Sequence, residues 1–125
     1  SALRDSLPES RLIEAINHIG NEISIDKKVR ISNSRDEIEY RIYLFSDLLQ
    51  HSSLYSAYAK NLLSFEKFKN QPGAGKGLVD LSGIKPKIFV YLIPRQSKFQ
   101  TRELIQFWED YFRHNGINFE FIDQM

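Results

Sequence analysis

An aspartate directly after an apolar strand is the residue best placed in this sequence to do chemistry. Ile42-Tyr43-Leu44-Phe45 is almost continuously apolar and stops at Ser46-Asp47, the pattern of a strand buried on both faces with polar groups at its C-terminal end. Open α/β sheets hold their ligands at that end. Asp47 therefore stands as a site residue, with Ser46 beside it and His51 four positions on. A carboxylate, a hydroxyl and an imidazole there can meet a partner's polar groups. With basic residues such as Arg95 or Lys98 they could also converge on a phosphodiester, as in a metal-dependent nuclease or toxin domain.

Other candidates carry less. His18, His51 and His114 lie far apart and form no metal-ligand spacing. Pro72-Gly73-Ala74-Gly75-Lys76-Gly77 is rich in glycine and holds a lysine, but it lacks the phosphate-loop spacing and follows a helix instead of a strand. It reads as part of a flexible surface loop over 70–83. Glu103, Glu109 and Asp110, with Arg102 and Arg113, fall on the polar side of an amphipathic helix, whereas Phe107, Trp108, Tyr111 and Phe112 have the spacing of a core stripe.

The elements that must position these residues follow from periodicity. Ser6-Leu7-Pro8-Glu9 has capping-box form and opens a helix through Leu12, Ile13, Ile16, Ile19 and Ile23. The polar stretch Asp26 to Glu39 reads mostly as loop. Leu54 to Lys69 has helix-like apolar spacing, and Ile88 to Ile93 is a second buried strand stopped by Pro94. Thr101 caps a helix that Asn115-Gly116 ends, and Asn118 to Ile122 alternates as a final edge strand. Strands separated by helices imply parallel pairing, so the expected fold is a single α/β domain over 1–125, a parallel Rossmann-like sheet flanked by helices.

Composition agrees with a globular chain: 125 residues, 42% hydrophobic and 26% charged, with 17 Lys and Arg against 16 Asp and Glu. So even a balance gives no global field to draw in nucleic acid or an anionic membrane. The chain has no cysteine, which excludes disulfides, thiolate metal sites and a cysteine nucleophile and leaves the compartment open. No apolar run approaches the roughly 20 residues of a membrane span.

The order helix, strand ending in Ser-Asp, helix, strand, amphipathic helix, final strand resembles the second half of a von Willebrand factor A domain. Ser10-Arg11-Leu12-Ile13-Glu14-Ala15-Ile16 is similar to the segment that opens the helix before that family's fourth strand, and Tyr40 to Gln50 is similar to the strand itself. Asp80 to Tyr91 and Phe107 to Gly116 resemble the later strand and final helix of bacterial members. The resemblance implies a noncatalytic protein-interaction domain that binds through strand-end loops, with Mg2+ or Mn2+ bridging to an acidic group of the partner. By position Asp47 would be the strand-end aspartate and Ser10 would stand where a threonine hydroxyl is expected. The family's Asp-x-Ser-x-Ser ligand loop is absent, so the cation site is incomplete in this chain. The expected sheet is the strand 4-5-6 half, whose edge at 41–46 would pair with another chain or a second copy.

Overall fold

The computed structural model describes residues 10–33, 38–58, 64–94 and 98–122. Three parallel strands, β1 (Arg41–Ser46), β2 (Lys87–Leu92) and β3 (Asn118–Ile122), lie in the order β1-β2-β3. The helices are α1 (Leu12–Asn33), a short α2 (Phe65–Lys69) and α3 (Arg102–His114), with a 3-10 turn at Ala74–Gly77. The parallel α/β class read from the sequence is thus present. Among the described residues no helix is long and apolar enough to cross a membrane.

Three local expectations need correction. Helix α1 runs on to Asn33 where a loop was expected from Asp26. No glycine or proline interrupts residues 21–33, and Arg30 Nε reaches Asp26 Oδ2 at 2.9 Å one turn back, so nothing stops the helix there. The helix expected over Leu54 to Lys69 begins only at Phe65 among the described residues, with the Ser64 hydroxyl accepting from the Lys67 amide. Residues 54–58 are instead bends and turns tied by Ala57 N–H to Gln50 O at 2.7 Å. The capping box at Ser6 lies outside the described residues.

The third correction concerns β1. Its burial alternates, with Tyr43 55% and Phe45 61% exposed, so it is covered on one face only. Ile42 and Leu44 point with Ile88, Val90, Phe119 and Phe121 into a single core that includes Ile13, Ile16, Leu48, Trp108 and Phe112. Tyr43, Phe45, Phe89 and Tyr91 lie on the other face and add nothing to that core. Their rings shield one another instead, Tyr43 on Phe89 at 5.2 Å and Phe45 on Tyr91 at 4.4 Å between centroids. These cross-strand stacks let an uninterrupted apolar run form a strand without burial on both sides.

The region from 70 to 83, read as a flexible surface loop, carries the 3-10 turn and buries Ala74, Gly77 and Leu81. Tyr111 Oη donates to Gly77 O at 2.7 Å, and Asn115 Oδ1 accepts from Val79 N at 2.6 Å. Lys76 at its tip is exposed. Thr101 caps α3 through its hydroxyl, which accepts from Leu104 N at 3.2 Å. Asn115 and Gly116 close that helix, the glycine at φ 75°.

Candidate functional site

The C-terminal end of β1 turns sharply. Ser46 Oγ accepts from Leu48 N at 2.9 Å and Asp47 Oδ1 accepts from Leu49 N at 3.0 Å, so both polar side chains fold back on the chain as short turns. Leu48 lies in the left-handed region at φ 62°, which costs a residue with a Cβ about 1 kcal/mol or more. Its side chain is fully buried and its carbonyl accepts from Trp108 Nε1 at 3.1 Å. Core burial and the indole bond from α3 hold that unfavourable conformation in place.

Two glutamines complete the turn. Gln50 is fully buried, and its Oε1 accepts from Ile13 N at 2.8 Å at the start of α1. Its Nε2 donates to Glu14 Oε1 and to Ser52 Oγ, each at 2.8 Å. Helix N-termini leave donors without intrahelical partners, and here one is met from the loop after β1. Gln100 Nε2 donates to Asp47 O at 3.0 Å and to Ile93 O at 2.9 Å, joining the C-terminal ends of β1 and β2. Neither glutamine was singled out from the sequence, because a lone amide in Leu48-Leu49-Gln50 or Phe99-Gln100-Thr101 belongs to no spacing pattern.

Of the residues expected at the site, Ser10 and His51 meet through their backbones. Ser10 N donates to His51 O at 2.9 Å and His51 N to Ser10 O at 2.8 Å, an isolated antiparallel bridge. Ser46, Asp47 and His51 follow one another through the same turn. The His51 ring has its Nδ1 2.9 Å from Ser56 Oγ and meets Tyr58 edge-on at 5.7 Å. Ser56 is 8% exposed and its hydroxyl also accepts from Tyr58 N, so this Ser–His contact braces the turn instead of offering a nucleophile to solvent. Of the basic residues considered for a phosphodiester site, Arg95 lies outside the described residues and Lys98 Nζ sits 5.3 Å from the Phe99 ring centroid.

For a hard cation these oxygens are right in kind and short in number. Ser46 Oγ and one Asp47 oxygen already accept backbone N–H groups, and magnesium requires six ligands in near-octahedral array. Among the described residues no group of three or more His, Cys, Asp or Glu could hold a metal ion. Two cavities of about 410 Å³ each open elsewhere. One, lined by Lys85, Arg113 and Asn118 among others, faces the N-terminal end of the strands, away from Asp47. The second lies beside Asp80, Ser82 and His114. Hydrogen bonds from the Ser82 hydroxyl and amide hold the Asp80 carboxyl below its ordinary range.

The outer sheet face exposes Tyr43 and Phe45 side by side, bordered by Arg41 and by Lys87, which lies 4.8 Å from the Phe89 ring centroid and 3.6 Å from Glu120. Exposed large side chains gathered in one patch mark interaction surfaces. No family model, curated protein or solved structure matches the chain.

Proposed function

We propose that this chain is a noncatalytic protein-interaction domain of von Willebrand A type. One observation carries the interaction reading: the exposed aromatic face of Tyr43 and Phe45 on a strand that has no neighbour on its outer side among the described residues. Such a strand offers unpaired backbone groups and an apolar surface together, the two requirements for strand addition. The finer reading, binding through strand-end loops with a bridging Mg2+ or Mn2+, is supported by the backbone bridge between Ser10 and His51, four residues after Asp47. Asp47 and Ser10 would be this chain's ligands, and the remaining oxygens would come from outside it.

The test is affinity capture with the tagged chain, comparing wild type with Phe45→Ser, Asp47→Ala and the distant Arg30→Ala. A partner retained by Arg30→Ala and lost by Phe45→Ser supports docking on the sheet. Loss with Asp47→Ala or with a chelator, restored by Mg2+ or Mn2+ in the wild type, supports the cation-bridged form. Metal-dependent cleavage of RNA or DNA by the purified chain, abolished by Asp47→Ala, would overturn both in favour of a nuclease.

A further inference from the structure

We infer that the Asn115-Gly116 pair is a modification site that the fold keeps closed: it deamidates only when residues 79–81 move away from the end of α3, and the modified chain does not restore that contact. The site is independent of the interaction surface described above. The sequence holds one Asn-Gly pair. Glycine has no Cβ to shield its amide nitrogen or to restrict the backbone, so in an open chain that nitrogen readily attacks the side-chain carbonyl carbon of the asparagine before it. Gly116 N–H gives up its proton to water, a bond forms from Gly116 N to Asn115 Cγ, and the Cγ–Nδ2 bond breaks as the nitrogen takes a proton and leaves as ammonia. Water then opens the cyclic imide at either carbonyl. The products are aspartate or isoaspartate, the latter with the main chain rerouted through the side chain.

The folded backbone forbids ring closure. Asn115 has φ −87° and ψ 2°, which turns Gly116 N towards the residue's own amide nitrogen, whereas closure needs a rotation of roughly 120° about ψ, into eclipse with Cβ. Gly116 N donates to Arg113 O at 3.1 Å and Asn115 O accepts from Leu81 N at 2.8 Å. Both bonds would be broken by that rotation. The side chain is pinned as well, because Oδ1 accepts from Val79 N at 2.6 Å and Nδ2 donates to Tyr111 O at 2.6 Å. With Asn115 1% exposed and Leu81 fully buried, the reaction waits for a local opening that frees 79–81.

Neither product fits the closed form. Aspartate keeps an acceptor for Val79 N but sets a carboxylate oxygen, in place of the Nδ2 donor, against Tyr111 O in the interior, where two acceptors face each other away from water. Isoaspartate lengthens the main chain by one carbon where the backbones are closest: even a Cβ added at Gly116 would come within 2.4 Å of Ser82 N. It also displaces the entry to β3, where Asn118 N donates to Pro86 O at 2.9 Å. Opening is reversible until the imide forms and irreversible afterwards.

The test ages the full chain at mildly alkaline pH, in buffer and in guanidinium chloride, and maps each asparagine by proteolysis and mass spectrometry. Conversion at Asn115 is expected to be about a hundredfold slower in buffer, as for a reaction confined to an open form populated near one per cent. Leu81→Ala, which loosens the segment that must move, should speed conversion in buffer about tenfold. Val90→Thr, in the sheet and away from that segment, should leave the rate within about twofold while the protein stays folded. After ageing in denaturant and dilution, chains modified at 115 should fail to regain the near-ultraviolet circular dichroism that unmodified chains recover, and Asn115→Asp made directly should melt about 5 °C or more below wild type. No conversion in denaturant, equal rates in the two solutions, or equal acceleration by both variants would overturn the closed site. Modified chains that refold and melt like wild type would overturn its irreversibility.

Discussion

The Gln50 side-chain carbonyl accepts the Ile13 amide at 2.8 Å, so the first turn of α1 is closed by a group from the loop after β1. Gln50 Nε2 donates to Glu14 and Ser52, and no bond of this fully buried side chain has water as an alternative. Gln50→Leu leaves the Ile13 N–H unpaired in the interior and should cost about 2 kcal/mol. Gln50→Glu should cost more, because it sets a second carboxylate against Glu14. Urea unfolding followed by circular dichroism measures both, and a loss under about 0.5 kcal/mol for either would show that the bond carries little.

Gly116 lies at φ 75°, and a Cβ there would come within 2.4 Å of Ser82 N. Gly73 has a similar φ of 84° but open space around it. Backbone strain is common to both positions, and the clash belongs to one. Gly73→Ala should therefore cost about 1 kcal/mol and Gly116→Ala about 3 kcal/mol. Equal midpoints for the two variants would mean that the 81–82 segment shifts freely to make room.

The hydroxyl of Tyr40 donates to Asp26 Oδ2 at 2.6 Å, joining α1 to the approach to β1. That bond first, and the Arg30 guanidinium second, hold the Asp26 carboxyl below its ordinary value of 3.8. A carboxyl lowered on folding adds stability above its unfolded pKa and loses it as pH falls through the folded one. Asp26→Asn should thus lower stability at neutral pH, and the gap to wild type should narrow on acidification below 3.8. Thermal melts across pH 7 to 3 would reveal it. A gap that stays constant would assign the effect to packing.

The parallel class, β2, β3 and α3 could be read in advance because their signals are local: apolar runs, the Thr101 cap, and the Asn115-Gly116 stop. Helix α1 beyond Asp26 was missed because its stability comes from an i,i+4 pair and from Tyr40 instead of an apolar stripe; Ile25 and Val29 are exposed there. At the candidate site the position of Asp47 after a strand was legible, as was its nearness to His51. The roles of Gln50, Gln100 and Trp108 were not, since each acts on a backbone group 37 to 60 residues away or across a loop. Nor could the apolar run 42–45 disclose that only one of its faces is covered, because continuous hydrophobicity looks alike whether a ring is buried in a core or stacked on the next strand.

That difference between the faces gives a direct comparison. Phe45 is 61% exposed and stacks on Tyr91, whereas Val90, on the core face of the neighbouring strand, is fully buried. Phe45→Thr puts a β-branched residue of good strand propensity on this strand and gives up mainly one ring contact, so the loss should stay near 1 kcal/mol, about the worth of that contact. Val90→Thr is nearly isosteric but puts a hydroxyl into the core with no water to meet it, and about 2 kcal/mol or more should be lost. Binding of an environment-sensitive hydrophobic dye to the folded protein should move oppositely: reduced by Phe45→Thr, which strips the exposed patch, and unchanged by Val90→Thr as long as the fold holds. If Phe45→Thr proved the more destabilising of the two, the outer face would have to be covered in the native protein to a degree at odds with its exposure.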